Sequence, residues 1–183
     1  MVKKESLRKR YFILRKRKYF EVNKFFFYPL IKIIKKKFIN KRINLSLYYP
    51  SSYEINILKI LEIDLIIKQN ILLPVVQGNR EMNFFKWKKN DALSINKFGI
   101  IEPKKSKKLI PNLMLIPLLA FDKRKHRLGF GKGFYDSYLN KHLKKFKNII
   151  TVGVAFSFQK YHKLPISIND VKLNYILTEK GIF

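Results

Sequence analysis

The stretch Asn112-Leu-Met-Leu-Ile-Pro-Leu-Leu-Ala-Phe121 carries no charged side chain over ten residues. It is followed at once by a polar, glycine-bearing loop. A half-solvated strand alternates apolar with polar residues. A continuous apolar run of this length reads instead as a strand covered on both faces, as in a parallel sheet sandwiched between helices. The rest of the chain agrees. Strands are expected at 43–49, 71–76, 82–87, 149–156 and 171–178. Helices are expected at 3–20, from Asn23 to about 38 with a break near Pro29, at 53–61 and at 134–146. Residues 88–111 read as irregular. Alternating strands and helices with near-continuous apolar strands predict an α/β fold, a three-layer α/β/α sandwich with a mostly parallel central sheet. The 183 residues show no internal repeat and no convincing linker, so a single domain over 1–183 is expected.

Composition excludes several chemistries. There is no cysteine, hence no disulfide, thiolate metal site or cysteine nucleophile, and three histidines make a His-rich metal site unattractive. Forty Lys+Arg face twelve Asp+Glu, a formal charge of +28. That balance raises nucleic acid as a partner. The chain is also rich in Ile, Asn, Phe and Tyr and has only three alanines, the usage of an A/T-rich genome that loads lysine onto tolerant surface positions. The aromatics fall mostly within apolar runs rather than between basic residues on one face, so no specific nucleic acid is expected. No apolar run approaches the ~18 residues of a membrane span, and the charged start lacks a signal peptide's apolar stretch. A soluble cytoplasmic protein is the expectation, as a monomer.

Four constellations could carry chemistry, and one of them, Arg80-Glu81-Met82-Asn83-Phe84-Phe85-Lys86-Trp87, is an aromatic strand with one Met that suits a flat ligand and a core equally. In Arg127-Leu128-Gly129-Phe130-Gly131-Lys132-Gly133-Phe134-Tyr135-Asp136, glycines at alternate positions let the backbone approach a ligand. Successive amides, the following helix N-terminus and the charges of Arg127 and Lys132 make a polyphosphate cradle. The spacing is neither of the familiar dinucleotide or P-loop patterns, and a flexible turn would look the same. Asp136 beside phosphates makes sense as a Mg²⁺ ligand, or as an acid at a helix N-terminus. Asp170 reads as a turn aspartate when taken alone. Lys4 and Arg8, four apart, share a helical face adjoining the stripe Leu7, Tyr11, Leu14. Tyr49-Pro50-Ser51-Ser52-Tyr53-Glu54 ends a strand, where open α/β sheets bind ligands, and Glu54 is placed to accept a pair of ring N–H groups.

Taken together these segments resemble the 5-formyltetrahydrofolate cyclo-ligase (methenyltetrahydrofolate synthetase) family. The likeness runs from Lys4-x-x-Leu7-Arg8, through Tyr49-Pro50…Glu54, Leu73-Pro74-Val75-Val76, Phe98-Gly99-Ile100-Ile101-Glu102-Pro103 and Met114–Asp136, to Val154-Ala155-Phe156-x-x-Gln159 and Leu164-Pro165…Asp170. Lys125 stands where the family usually has glycine, Ile101 where it has proline, and Phe134 where it often has tyrosine.

The resemblance implies ATP-dependent conversion of 5-formyltetrahydrofolate to 5,10-methenyltetrahydrofolate, with ATP as co-substrate and Mg²⁺ as cofactor. It implies that Lys132 and Arg127 are catalytic, and that Lys4, Arg8 and the loop Arg127, Leu128, Gly129, Phe130, Gly131, Lys132, Gly133, Phe134 and Tyr135 bind ATP. Tyr49, Glu54, Phe130, Phe134 and Trp87 would contact the folate, and Asp136 and Asp170 the metal. From charge alone, the surface lysines would attract an anionic polyglutamyl folate tail. Two other readings are a basic nucleic-acid-associated protein and a non-catalytic folate- or nucleotide-binding relative. Retention of Lys132, Asp136 and Asp170 argues against the latter.

Overall fold

The structure is a computed structural model that describes residues 3–78, 80–146 and 148–183. Helix α1 (Lys4–Lys18) has Glu5 in its first turn and four cations in its last, matching the helix dipole at both ends. Its buried stripe is Leu7, Tyr11 and Arg15. The third member is thus an arginine rather than the expected Leu14. Asn23 accepts from the Phe25 amide and opens a 3₁₀ turn, Lys24–Phe27, which leads into α2 (Tyr28–Lys37). The expected break therefore falls upstream of Pro29, which then sits in the first turn of α2, where its missing N–H costs nothing.

Strand β1 (Asn44–Ser46) is shorter than expected because the chain turns away at Tyr48–Pro50. The expected helix at 53–61 does not form as such. Ser52 and Tyr53 both have positive φ, 50° and 63°, a region that no right-handed helix can enter. A 3₁₀ helix, Ile57–Glu62, and the short α3 (Asp64–Ile67) follow instead. Then come β2 (Asn70–Val76) and β3 (Met82–Lys86). The segment expected to be irregular contains a small hairpin, β4 (Leu93–Ile95) and β5 (Ile101–Pro103). Its turn is held by the Asn96 side chain, which accepts from the amides of Phe98 and Ile100. Glu102 ties it to the sheet by accepting from Val76 N at 2.6 Å.

The long apolar run divides at Pro117 into β6 (Leu113–Pro117) and β7 (Ala120–Phe121). Strand β7 pairs antiparallel with β8 (Arg127–Leu128) in a hairpin outside the main sheet. Helix α4 (Phe134–His142), β9 (Ile150–Val154), β10 (Tyr175–Thr178) and β11 (Gly181–Ile182) complete the chain. The main sheet has the order β11-β10-β9-β6-β1-β2-β3. Pairs β1/β2, β1/β6, β6/β9 and β9/β10 are parallel, and only the edge strands β3 and β11 run antiparallel.

The alternation of side chains explains why the strands read as continuously apolar. Leu45, Leu113, Leu115, Val152 and Leu73 pack in one layer with Leu30 and Ile34 of α2. Their neighbours Leu72, Met114, Ile116 and Ile176 pack on the other face with Tyr138 and Leu139 of α4. This is the expected α/β arrangement, with helices on both faces of a mostly parallel sheet. A third cluster, Leu7, Tyr11, Leu119, Ala120, Leu128 and Leu164, seats α1 on the β7–β8 hairpin. Leu7 and Tyr11 are 1% and 3% exposed, and full burial of such side chains contributes roughly 1.5–3 kcal/mol each. The docking brings the first helix over the carboxyl ends of the parallel strands. Among the described residues no helix is long and apolar enough to cross a membrane.

Candidate active site

From the central strand β1 the chain passes to β2 on one side and later returns to β6 on the other. The carboxyl ends of β1 and β6 therefore diverge, the place where open α/β sheets leave a crevice. A cavity of about 790 Å³ lies there. Its walls come from α1 (Lys4, Arg8), the segment after β1 (Tyr48 to Glu54), the ends of β2 and β6, and the loop from Arg127 into α4. Asp136, Ser167 and Asp170 line it as well.

The glycine loop has the backbone its sequence suggested, with one refinement. Gly131 and Gly133 have φ of 101° and 75°, whereas Gly129 lies outside the left-handed region. Gly133 ends the loop as the residue preceding α4. Among the described residues, the amides of Phe130, Gly131, Lys132 and Gly133 donate to no protein acceptor. Adjacent free amides leading into a helix N-terminus form an anion-binding concavity. At Gly131 a Cβ would lie 3.1 Å from Cζ of Arg8, whose Nε donates to Gly129 O at 3.0 Å. Gly131→Ala is therefore expected to strain the loop and displace the Arg8 guanidinium together. On the ATP-binding role that the resemblance implies for this loop, the Michaelis constant for ATP should rise several-fold, and stability should fall by ~1–2 kcal/mol for the left-handed backbone. Steady-state kinetics and a thermal melt check both, and an unchanged nucleotide Michaelis constant would remove the loop from the nucleotide site.

The charged groups are paired in ways the spacing did not reveal. The Arg127 side chain is 4% exposed and donates from Nη2 to Asp136 Oδ1 at 2.9 Å and from Nη1 to Val171 O at 3.2 Å. Its charge is committed to Asp136 rather than free for phosphate, a different use from the one expected. Lys4 pairs with Asp170, which also accepts from Ser167 N at 2.7 Å. Burial would raise the Asp170 carboxyl, but Lys4 and the Ser167 amide outweigh it and hold it below its usual value. Lys132 is exposed, lines the cavity, and rests on Phe98 with Nζ 3.2 Å from the carbonyl oxygen. Among the described residues no carboxylate pairs with Lys132, Arg8 or Arg80, so three cations with no acidic partner border one cavity.

At the strand end, Glu54 is 8% exposed and accepts from Ser51 N at 3.0 Å. Burial pushes its carboxyl up to about 7, against the lowering influence of Arg15 and the Ser51 donors. Tyr48 and Tyr135 lie near it, both raised chiefly by burial and then by the Glu54 charge. Among the described residues the buried Tyr135 hydroxyl has no hydrogen-bond partner. Tyr49, Phe130 and Phe134 line the cavity, and Phe134 packs edge-on against Phe98 with ring centroids 5.9 Å apart.

Trp87 does not join them. It is 3% exposed and sits in the core layer shared with α2. Strand β3 runs antiparallel to β2, so Met82 lies opposite Val76 at the cavity end and Trp87 comes beside Ile71 at the far end. Its place among the folate contacts is therefore corrected: Met82 borders the cavity instead. Arg15 is not singled out by the sequence, whereas Arg80, Tyr48 and Phe98 stand within its motifs but carry no expected role of their own. The signal for Arg15 was present, as the third residue in the i, i+4, i+8 series from Leu7, but lysine and arginine are too frequent here to make it conspicuous.

The carboxylates fit a hard cation only in part-share. Asp136 Oδ2 and Asp170 Oδ1 carry no hydrogen bond among the described residues, and no group of three acidic or histidine side chains gathers there. This is not an all-protein cage. It suits Mg²⁺, which commonly takes one or two carboxylates and completes its shell with water and phosphate oxygens.

The family model for the 5-formyltetrahydrofolate cyclo-ligase family matches residues 2–179. The 5-formyltetrahydrofolate cyclo-ligase of Haemophilus influenzae is 33% identical over 141 residues, 73% of this chain and 74% of that protein. The probable 5-formyltetrahydrofolate cyclo-ligase of Schizosaccharomyces pombe is 32% identical over 129 residues, which span 62% of this chain but only 63% of that relative's own length. Among solved structures, the 5,10-methenyltetrahydrofolate synthetase of Aquifex aeolicus superposes with a TM-score of 0.74 at 30% identity, covering 98% of this chain and 91% of that one. The backbone strain at one departure now has its reason: Lys125 has a φ of 65°, a conformation glycine adopts freely. With the matched model, the aligned relatives and the shared α/β architecture in agreement, the chain belongs to the 5-formyltetrahydrofolate cyclo-ligase family.

Proposed function

We propose that this chain converts ATP and 5-formyltetrahydrofolate to 5,10-methenyltetrahydrofolate, ADP and phosphate within the cavity at the β1 and β6 ends. One observation carries the reading. A single cavity joins a cradle of free amides and unpaired cations to a pocket containing a buried carboxylate and aromatic side chains.

The formyl group on nitrogen is amide-like and a poor electrophile. Attack of its oxygen on the γ-phosphorus breaks the bond to the β,γ-bridging oxygen and releases ADP. The resulting phosphorylated imine is a strong electrophile. The neighbouring anilino nitrogen adds to its carbon and gives up its proton. Phosphate then leaves with the former formyl oxygen. Such chemistry asks the protein mainly for positioning and charge stabilisation.

The amides from Phe130 to Gly133 hold the phosphates, and Arg8, braced on Gly129 O, closes them from α1. Lys132 moves from the Phe98 carbonyl to the transferred group, where negative charge grows. Asp136 and Asp170 would hold Mg²⁺, which when bound neutralises the polyphosphate charge. Arg127 orients Asp136. Lys4 does the same for Asp170. Glu54 receives the pterin ring's N–H donors, and Tyr49, Phe130 and Phe134 supply its apolar walls. The reaction belongs to the cytoplasm, where ATP and reduced folates are available.

The deciding experiment mixes purified protein with Mg-ATP and 5-formyltetrahydrofolate. The conjugated methenyl product should appear in the near ultraviolet, with one ADP formed per product and no signal when Mg²⁺ is chelated. Tight binding of both ligands without product would instead favour a non-catalytic relative.

A further inference from the structure

Among the described residues Arg15 is the largest of the fully buried side chains, at 1% exposure. It lies in α1, and its guanidinium reaches two separate segments of the site. Nη2 donates to Ser52 O at 2.8 Å, and Nη1 donates to Leu118 O at 3.2 Å. Gln159 Nε2 shares the Leu118 carbonyl at 3.0 Å. The guanidinium carbon stands 5.2 Å from the centre of the Phe130 ring. Among the described residues its Nε has no hydrogen-bond partner.

A buried cation is an expensive way to dock a helix, because desolvation costs several kcal/mol that an apolar side chain avoids. Leu7 and Tyr11 already dock α1 in the ordinary way. The segment that Arg15 grips is the unusual one. Ser52 and Tyr53 are both in left-handed backbone, and Glu54 follows directly. Strained residues persist where surrounding contacts over-determine them, and they concentrate at functional sites. The Ser52 carbonyl is held from outside the turn by Arg15, while Glu54 holds the turn from inside through Ser51 N.

We propose that Arg15 is a positioning residue for the folate half of the site: its two-pronged grip on the Ser52 and Leu118 carbonyls sets the turn that aims Glu54 at the substrate, and its face backs Phe130. This rests on the reading of Glu54 as the folate-contacting carboxylate. Arg15 acts through Glu54 and touches no reacting atom. The charged and titratable groups around Glu54 are Arg15 from α1, Tyr48 from the end of β1 and Tyr135 from α4. The tyrosines are neutral at physiological pH, so Arg15 is the charge that favours ionised Glu54.

The test compares Arg15→Met, Arg15→Lys, Glu54→Gln and the Arg15→Met/Glu54→Gln double variant. The readouts are the Michaelis constants for 5-formyltetrahydrofolate and Mg-ATP and the pH profile for the folate. Glu54→Gln should raise the folate constant ~10-fold, the size of effect expected for a hydrogen bond to a charged group. Arg15→Met should raise it similarly while leaving the Mg-ATP constant unchanged, and should move the acid limb of the profile to higher pH. Arg15→Lys should return that limb towards wild type yet leave the folate constant raised, because one ammonium cannot hold both carbonyls. The double variant should be no worse than the poorer single.

Multiplicative losses in the double variant, or an equal rise in both Michaelis constants with an unmoved acid limb, would reduce Arg15 to a general packing role and overturn the proposal. Should Arg15→Met not fold, the lysine variant decides: a wild-type folate constant sinks the two-pronged grip. If Glu54→Gln leaves folate binding intact, it is the folate reading of the site that fails. If only the Arg15 variants leave it intact, this inference fails alone.

Discussion

Lys132→Ala is expected to lower kcat at least ~100-fold while leaving the Michaelis constant for 5-formyltetrahydrofolate within about twofold, the behaviour of a group whose interaction forms only in the transition state. Its ammonium rests on the Phe98 carbonyl and lies 5.1 Å from the centre of the Phe98 ring, with no carboxylate partner among the described residues. An exposed cation held by such weak contacts is readily recruited by a phosphoryl group. Arg127 cannot substitute, because Asp136 already neutralises it. Single-turnover measurements with saturating Mg-ATP isolate the chemical step. A rate close to wild type in the alanine enzyme would transfer the charge-stabilising role to Arg8 or Arg80, the other cations bordering the cavity without an acidic partner.

Asp122→Ala is expected to destabilise the fold by roughly 3 kcal/mol, with the loss centred on the loop that carries the site. Asp122 is fully buried and accepts from the amides of Arg124, His126 and Leu164 and from the Arg124 guanidinium. Removing the carboxylate strands those buried donors. The Arg124 side chain is 40% exposed, so the ion pair itself contributes little and the backbone donors account for most of the loss. Asp122 closes the β7–β8 turn, and its own amide donates to His126 O at 3.1 Å, so the glycine loop loses its base.

Burial would raise the Asp122 carboxyl, but Arg124 and the backbone donors hold it below its usual 3.8. A carboxyl depressed in the folded state adds stability that is present above the unfolded value and lost as pH falls through the folded one. Asp122→Asn should therefore be less stable than wild type at pH 7 and lose that difference at a pH below the depressed folded value. Urea denaturation at both pH values measures this. A difference that stays constant with pH would show that the carboxylate's charge is not what holds the turn.

Several features were legible before any coordinates. The uninterrupted apolar stretch at 112–121 announced a strand covered on both sides, and alternation across the sheet explains why. The glycines at 131 and 133 announced left-handed backbone ahead of a helix, because only local sterics are involved. Other features resisted. The helix expected at 53–61 was a propensity reading, and the Arg15 hydrogen bond to Ser52, 37 residues away, helps hold a turn that propensity does not favour. Trp87 is expected at the folate site from the family resemblance and from its place in an aromatic strand that suits a flat ligand. The antiparallel run of β3 carries it to the opposite end of the sheet.

What the sequence determined by itself is the local grammar: which segments span the sheet, where the backbone bends in ways only glycine favours, and the ordered series of motifs that marks the family. Tertiary structure alone decided the electrostatics, because those partners are brought together by folding from distant parts of the chain. Arg8 meets Gly129 across 121 positions and Lys4 meets Asp170 across 166. Burial, which pushes Glu54 up to about 7 and commits Arg127 to Asp136, is a property of the assembled layers that no spacing along the chain encodes.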